Sequence, residues 1–216
     1  MSHDSDLQQA VLAELSWEPS VTAANIGVTA KAGVVGLSGH VESYVEKYAA
    51  ETAARRVRGV KAVAEEIEVR LPSAHERDDA DIAEAALDRL AWDVSVPSDT
   101  VRIKVEHGLI TLTGEVDWHY QKIAAENDVG GLCGVVDVCN LMTIKPRVNV
   151  SDLSNDIILA LHRSRFDPKT IRVRAEGGKV HLTGTVRSWH DWNEAESTAW
   201  GAPGVCDVKN DMTVLF

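Results

Sequence analysis

The chain of 216 residues is poor in positive charge: 22 Lys and Arg stand against 33 Asp and Glu, which gives a net charge of −11. A protein that binds bare nucleic acid needs a cationic surface to displace counterions from the phosphates. The composition therefore excludes nucleic acid as an expected partner. The sequence also lacks any run of about 18 apolar residues, so no transmembrane segment is predicted.

Cysteine is scarce, and no two of the three cysteines are spaced as CxxC; they are Cys133, Cys139 and Cys206. This pattern indicates reduced thiols in packing positions. The first residues, MSHDSDLQQAVLAEL, lack the basic region and the continuous apolar region of a signal peptide. We therefore expect a cytoplasmic protein, and a periplasmic protein after processing is the alternative.

Signatures of catalysis are also missing. The sequence contains no HExxH or zinc-finger spacing, no GxSxG, no P-loop and no dinucleotide-binding fingerprint. Adjacent carboxylates such as Glu65-Glu66 and Asp78-Asp79 point apart, whereas a hydrolase dyad needs two carboxyl groups that converge. No catalytic residue, metal ligand or cofactor is predicted, and the chain is not expected to be an enzyme.

One phrase, by contrast, occurs three times: GVVGLSGHV at 33–41, GLITLTGEVDW at 108–118 and GKVHLTGTVRSW at 178–189. Its glycines are Gly39, Gly114 and Gly184. A second glycine follows each of them 20 residues later, always before a valine: Gly59, Gly134 and Gly204. The columns agree without a gap, so the chain consists of three repeats of about 70 residues.

Hydrophobic period predicts the same elements in each repeat. Apolar residues at i, i+4 and i+8, such as Leu7, Val11 and Leu15, indicate an amphipathic first helix. An aspartate just before each apolar stripe is expected to cap that helix; these are Asp6, Asp81 and Asp152. Two alternating strands follow, and in repeats two and three they meet at hairpin turns at His107-Gly108 and Gly177-Gly178.

A second helix and a last strand complete each repeat. The helices are predicted at 42–57, 117–132 and 187–200. Small residues on their inner face, Ala50, Ala125 and Ala195, allow a close approach to a sheet. Gly59, Gly134 and Gly204 are expected to end these helices as left-handed caps. The predicted order is α-β-β-α-β, with linkers near residues 71–79 and 145–151.

The order helix, V-x-L-x-G-x-V, helix, G-V-x-x-V-x-N resembles the BON domain, which is named from bacterial osmotically inducible and nodulation proteins. The resemblance covers three copies, at residues 1–72, 77–146 and 148–216. It implies an α+β fold of three αββαβ modules, each a three-stranded mixed sheet packed on two helices. Repeat one departs from the pattern, with Glu65 where Asn140 and Asn210 stand, so a looser last strand is expected there.

The resemblance also implies a function. The family is mostly non-enzymatic, is linked to envelope integrity and osmotic stress, and is thought to bind phospholipid surfaces or other partners. We therefore expect a binding or scaffold protein whose partner is a protein or an anionic phospholipid. One cytoplasmic architecture of the family senses potassium, so a small-ion sensor is the first alternative. Self-association through aromatic helix ends is the second.

Aromatic side chains at the starts of the second helices are the candidate binding residues. They are Tyr44 in repeat one, Trp118, His119 and Tyr120 in repeat two, and Trp189, His190 and Trp192 in repeat three, beside Arg187. Tryptophan and tyrosine suit interfaces because they bury a large area while a polar atom stays hydrated. Packing between repeats is the alternative role for these rings.

Charge and two further tryptophans complete the sequence predictions. Repeat three carries a net charge of −1 over residues 148–216 and repeat two −7 over 76–147, which favours repeat three for an anionic headgroup. Trp17 and Trp92 follow the first helices of repeats one and two. We expect them to lock each helix to its own sheet or to a neighbouring repeat.

Overall fold

The computed structural model describes residues 3–97, 99–146, 152–163 and 170–215. Within them, six α-helices and ten β-strands follow the predicted order. Repeat one comprises α1 (His3–Trp17), a 3₁₀ turn (Ala23–Asn25), β1 (Ile26–Lys31), β2 (Val34–Val41), α2 (Tyr44–Arg56) and β3 (Ala62–Val69). The predicted linker at 145–151 lies partly outside the described residues.

The other two repeats have the same order. Repeat two comprises α3 (Asp79–Trp92), β4 (Val101–Glu106), β5 (Leu109–Val116), α4 (His119–Gly130), β6 (Asp137–Asn140) and β7 (Thr143–Ile144). Repeat three comprises α5 (Leu153–Leu161), β8 (Ile171–Glu176), β9 (Lys179–Val186), α6 (Trp189–Trp200) and β10 (Asp207–Val214). The α+β fold of three tandem modules is therefore confirmed.

The chain forms two compact units. The first comprises residues 1–90, 103–111 and 127–139, and the second comprises residues 91–102, 112–126 and 140–216. The division runs through repeat two, so the start of α4 belongs to the second unit and the end of α4 to the first.

Each sheet is mixed and has the middle strand of the repeat at its centre. In repeat one, β1 pairs antiparallel with β2 and β3 pairs parallel with β2; the orders β4-β5-β6 and β8-β9-β10 correspond. The hairpin turns have positive φ at both central residues, for example His107 at 51° and Gly108 at 76°. Two such residues define a type I′ turn, which matches the twist of the paired strands.

The last strand departs from the sequence prediction in repeat two. It is interrupted after Asn140, whose Oδ1 accepts the backbone N–H of Met142 at 3.2 Å, and β7 resumes the pairing with β5. In repeat one, Glu65 accepts the backbone N–H of Ile67 in the same way, and β3 is continuous. The expectation of a looser strand in repeat one is therefore wrong, and Glu65 makes the backbone hydrogen bond that Asn140 and Asn210 make in the other repeats.

The predicted helix stripes supply the core of each module. Leu7, Val11 and Leu15 are buried in repeat one, and Ile82, Ala86 and Leu90 are buried in repeat two. On the second helices Ala50, Ala125 and Ala195 are fully buried, which brings the helix backbone close to the sheet. Burial of these apolar surfaces is the main force that stabilises modules of this size.

Glycine is required at the first repeated position, because the backbone before the first strand passes close to the middle strand there. Gly39, Gly114 and Gly184 have φ between 124° and 135° and lie inside the middle strand, two residues before its end. A Cβ at Gly114 would collide with the carbonyl oxygen of Thr100, which precedes the first strand. Only glycine fits, because both the φ angle and the lack of space exclude a side chain.

The second set of repeated glycines lies later than predicted. Gly59, Gly134 and Gly204 do have positive φ, between 84° and 97°. However, the C-cap residue of α2 is Val57 and that of α6 is Gly201. The prediction of direct helix caps is therefore wrong in position, because the glycines lie in the turn that follows the helix.

Two of the three first helices, α1 and α3, begin earlier than the aspartate positions predict. Asp6 and Asp81 lie in the first turn of α1 and α3, and Asp78 caps α3 by accepting the Asp81 backbone N–H at 2.8 Å. Asp152 is the N-cap residue of α5, but its side chain makes no capping hydrogen bond. Another carboxylate, Asp79, accepts the N–H groups of His107 and Gly108 at 2.8 and 2.9 Å, so it links the helix start to the hairpin turn.

Candidate functional site

The starts of the three second helices are in gapless register. A position number here counts residues after Gly39, Gly114 or Gly184 of the same repeat. Position five is Tyr44, His119 and Trp189, and α2, α4 and α6 each begin there. The counterpart of Trp189 is therefore His119, and the counterparts of Trp118, at position four, are Ser43 and Ser188.

The helix starts are capped by side chains at positions four and seven. Ser43 and Ser188 accept the backbone N–H of position seven at 3.2 and 3.1 Å. Trp118 cannot do this, and instead Gln121 accepts the N–H groups of Asp117 and Trp118, both at 3.0 Å. The local sequence thus fixes where each position-five ring emerges from its helix.

The carboxylate of Glu46 fixes the start of α2 by two hydrogen bonds. Its two carboxylate oxygens accept the backbone N–H groups of Thr22 at 2.7 Å and Glu42 at 3.0 Å. Burial opposes ionisation of Glu46, but the hydrogen bonds outweigh it, so the pKa of this carboxyl is lowered from its ordinary value.

Position five of repeat one contacts position sixteen of repeat two. A Cβ added to Gly130 would lie 2.9 Å from Cε1 of Tyr44, so the Tyr44 ring lies directly against the backbone of Gly130. Beside it, Lys47 Nζ is 3.3 Å from Asp137 Oδ2. Both contacts lie within the first compact unit.

Position five of repeat two makes the same connection with repeat three. The ring of His119 stacks on the indole of Trp200, which is position sixteen, with centroids 4.0 Å apart and planes inclined by 13°. Burial, and after it the charge of Lys122, lowers the pKa of His119 from its ordinary value, which favours the neutral imidazole. This contact lies within the second compact unit.

An open cleft of about 950 Å³ surrounds the His119–Trp200 stack. The side chains that line it come from the start of α4 and from α6: Trp118, His119, Tyr120, Asn193, Glu196, Ser197, Trp200 and Gly201. The structure thus brings three of the predicted residues together with Trp200, which the sequence analysis did not single out. Trp200 occupies position sixteen, next to the buried Ala199, and the sequence carried no signal that this position meets position five of the preceding repeat.

The remaining predicted residues of repeat three lie together at the start of α6. Trp189 and Trp192 meet edge to face, with centroids 5.6 Å apart. Trp192 donates its Nε1–H to the carbonyl of Met212 at 3.2 Å, whereas the covered Nε1–H of Trp189 has no acceptor within the described residues. Arg187 and His190 are exposed beside them.

The predicted locking role of Trp17 and Trp92 is wrong. These side chains are 84% and 86% exposed, so neither packs on its sheet or on a neighbouring repeat. Each tryptophan follows the last buried leucine of its helix by two residues, which is about 200° around the helix axis. The stripe that buries Leu15 and Leu90 therefore directs both indoles away from the core.

Polar side chains that could have formed a reactive group have structural partners. Glu65 pairs with Lys47 at 3.1 Å, and Asp78 and Asp79 bind backbone N–H groups. Over residues 3–97, 99–146, 152–163 and 170–215, no three His, Cys, Asp or Glu side chains cluster as metal ligands would. The three cysteines are free; Cys133 is exposed rather than packed, and the other two are half-buried.

No helix among the described residues combines the length and the apolar character needed to span a bilayer. The chain is similar to the BON domain family, whose model matches residues 3–70, 78–146 and 149–215. It is also 31% identical to the osmotically-inducible protein Y of Escherichia coli (strain K12) over 147 residues, which are 66% of this chain and 73% of that protein.

Two solved structures of CdsD, a structural protein of the type III secretion system of Chlamydia trachomatis, are also similar to the chain. Both are 17% identical to it with a TM-score of 0.27. The first, of the C-terminal domain, covers 98% of this chain and of its own, and the second covers 97% and 92%. A TM-score of this size is too low to support an inference about function.

Proposed function

Because the chain belongs to the BON domain family, whose model matches it three times, we propose that it is a non-enzymatic binding protein of osmotic or envelope stress. The family is mostly non-enzymatic, and the 31% identity to an osmotically-inducible protein supports the link to osmotic stress. The partner we propose is an anionic phospholipid surface, bound by Arg187, Trp189 and His190 at the start of α6.

One observation carries this choice of surface. Position five contacts the next repeat in repeats one and two, through Tyr44 on Gly130 and His119 on Trp200. In repeat three, the ring at position five is Trp189, which meets Trp192 of its own helix edge to face. The start of α6 therefore carries two neighbouring indoles, which the other two helix starts do not have.

The chemistry of the α6 start supports an anionic interfacial ligand. Tryptophan favours the boundary between apolar and aqueous phases, because its ring buries a large apolar area there. The exposed Arg187 places a positive charge two residues away, whereas repeat two has Asp117 at that position. The proposed contact is thus an indole at the headgroup level with a guanidinium beside a phosphate.

Flotation with vesicles tests the proposal. We expect the chain to float with vesicles that contain phosphatidylglycerol, more weakly at high salt, and not with pure phosphatidylcholine. Trp189→Ala should lower the partition coefficient about tenfold, because burial of one indole stabilises by about 1.5 kcal/mol or more. Arg187→Gln should weaken binding and reduce its dependence on salt.

The matched control is Trp92→Ala, which removes a more exposed tryptophan from the more acidic repeat. It should float like the parent. Equal flotation of Trp189→Ala and the parent would exclude the α6 start as the contact. The small-ion sensor and the cytoplasmic location stay predictions, and fractionation of the native host tests the latter.

A further inference from the structure

We propose that the cleft around the His119–Trp200 stack binds an organic cation that carries a quaternary ammonium group. The start of α4 and the helix α6 form the cleft, and all of its lining residues belong to the second compact unit. The residues of the proposed phospholipid contact, Arg187, Trp189 and His190, are not among the described residues that line it. The inference therefore does not rest on the proposed function.

Aromatic side chains supply much of the wall of the cleft. Trp118 and Tyr120 come from the start of α4, and Trp200 comes from the end of α6. The electron-rich face of such a ring attracts a cation, and the attraction is strongest for tryptophan. Two tryptophans and a tyrosine in one cleft are the kind of side chains with which proteins recognise quaternary ammonium groups.

Glu196 gives the cleft its negative charge. Among the described residues that line the cleft, no lysine or arginine accompanies it. Asn210 donates a side-chain N–H to Glu196 Oε2 at 3.4 Å. Because the amide is uncharged, this bond orients the carboxylate without neutralising it. Burial lowers the pKa of His119 and favours its neutral form, in which the stacked ring adds no positive charge that would repel a cation.

The chemistry of the cleft fits an alkylated cation better than a metal ion or a primary ammonium. A hard metal ion such as Ca²⁺ takes about six to eight oxygen ligands, and no cluster of His, Cys, Asp or Glu suited to a metal occurs in the part of the chain that the structure describes. A primary ammonium has three N–H donors, each of which needs an acceptor. A quaternary ammonium group has no N–H, so aromatic rings and the carboxylate of Glu196 are sufficient to bind it.

The size of the cleft suits a small organic molecule. Its volume of about 950 Å³ lies within the range of ligand sites, which is about 300–1,000 Å³. Tyr120 is 57% exposed, so the cleft is reached directly from solvent. Asn193 and Ser197 on α6 line the same cleft, where their amide and hydroxyl groups offer hydrogen bonds to a polar substituent of the ligand.

Titration of the 216-residue chain with choline chloride tests the inference, with tryptophan fluorescence as the signal. We expect a saturable change, because Trp118 and Trp200 line the cleft. The uncharged analogue of choline, in which carbon replaces the nitrogen, should bind about fivefold more weakly, since it has the shape of choline without the charge. Sodium chloride at equal concentration should produce no saturable change.

Two variants that retain every tryptophan locate the site. Glu196→Gln keeps an acceptor for Asn210 and removes the charge, so it should weaken choline binding about fivefold. Tyr120→Ala removes an exposed ring and should weaken it about threefold. The matched control is Glu126→Gln. Glu126 has the same position in repeat two and accepts from Asn140 at 3.0 Å, but it is not among the described residues that line the cleft, so this variant should bind choline like the parent.

Three results would each overturn the inference: no saturable change with choline, equal binding of choline and its uncharged analogue, or an unchanged affinity of Glu196→Gln. Equal losses in Glu196→Gln and Glu126→Gln would also overturn it, because they would assign the effect to the fold rather than to the cleft. Unchanged circular dichroism of the variants establishes that they remain folded.

Flotation identifies the source of the quaternary ammonium group. Choline binding without flotation on pure phosphatidylcholine assigns the cleft to a free solute. Flotation that free choline competes away and that Glu196→Gln abolishes assigns it to the lipid headgroup. The proposed function is tested separately, since Trp189→Ala should bind choline like the parent and Glu196→Gln should float with phosphatidylglycerol vesicles like the parent. Either proposal can therefore fail alone.

Discussion

The two tryptophans at the start of α6 differ in a single hydrogen bond. Trp192 donates to Met212, and the buried Nε1–H of Trp189 has no acceptor among the described residues. Trp192→Phe should therefore destabilise the fold by about 1 kcal/mol more than Trp189→Phe, because only the former loses a bond. Chemical denaturation of both variants measures the difference, and equal losses would contradict the assignment of the bond.

His119 makes the stability of the folded protein depend on pH. Burial lowers the pKa of His119 in the folded state. The stack on Trp200 therefore makes its full contribution to stability at pH values above the ordinary histidine pKa of about 6.5. The folded protein binds the proton less readily than the unfolded chain, so stability falls as the pH decreases below that value.

His119→Phe should retain a ring on Trp200 and remove this part of the pH dependence. The measurement is the melting temperature of parent and variant on both sides of about pH 6.5. The melting temperature of the variant should decrease less on acidification than that of the parent. A parallel decrease in both proteins would assign the acid sensitivity to other groups, such as the paired carboxylates.

At the scale of the element, the glycine in the middle strand allows the close approach of the residue that precedes the first strand. Gly114 has φ of 135°, and a Cβ added to it would overlap the carbonyl oxygen of Thr100. Gly114→Ala should lower the free energy of unfolding by about 2 kcal/mol or more, because it adds both strain and overlap.

Gly131→Ala is the matched control, since a Cβ at Gly131 meets nothing within 4 Å. It should change stability by no more than about 0.5 kcal/mol. Thermal and urea unfolding of the two variants compares them directly. Similar losses of unfolding free energy in both variants would mean that lack of space is not the reason why residue 114 is a glycine.

The sequence predicted the elements well, because periodicity and turn chemistry are local. Leu7, Val11 and Leu15 identify a buried helix face, and His107-Gly108 identifies a type I′ turn without tertiary information. Cap positions were less predictable. Asp6 lies inside the first turn of α1, since the helix extends three residues beyond it on the N-terminal side.

At the scale of the whole molecule, the repeats were predictable and their contacts were not. A column of glycines establishes how many modules exist, but nothing in one sequence states that position five meets position sixteen of the next repeat. The stack of His119 on Trp200 depends on tertiary packing. Trp17 shows the converse, since helix geometry alone would have placed it outside.

The position of the last strand has a consequence for aggregation. β3 and β10 lie at the edge of their sheets, and an uncovered edge offers backbone groups to strands of other molecules. Five exposed positions of these strands carry charge: Glu66 and Glu68 on β3, and Asp207, Lys209 and Asp211 on β10. Fibrous pairing through these edges is therefore opposed by repulsion and desolvation, even at concentrations where copies meet.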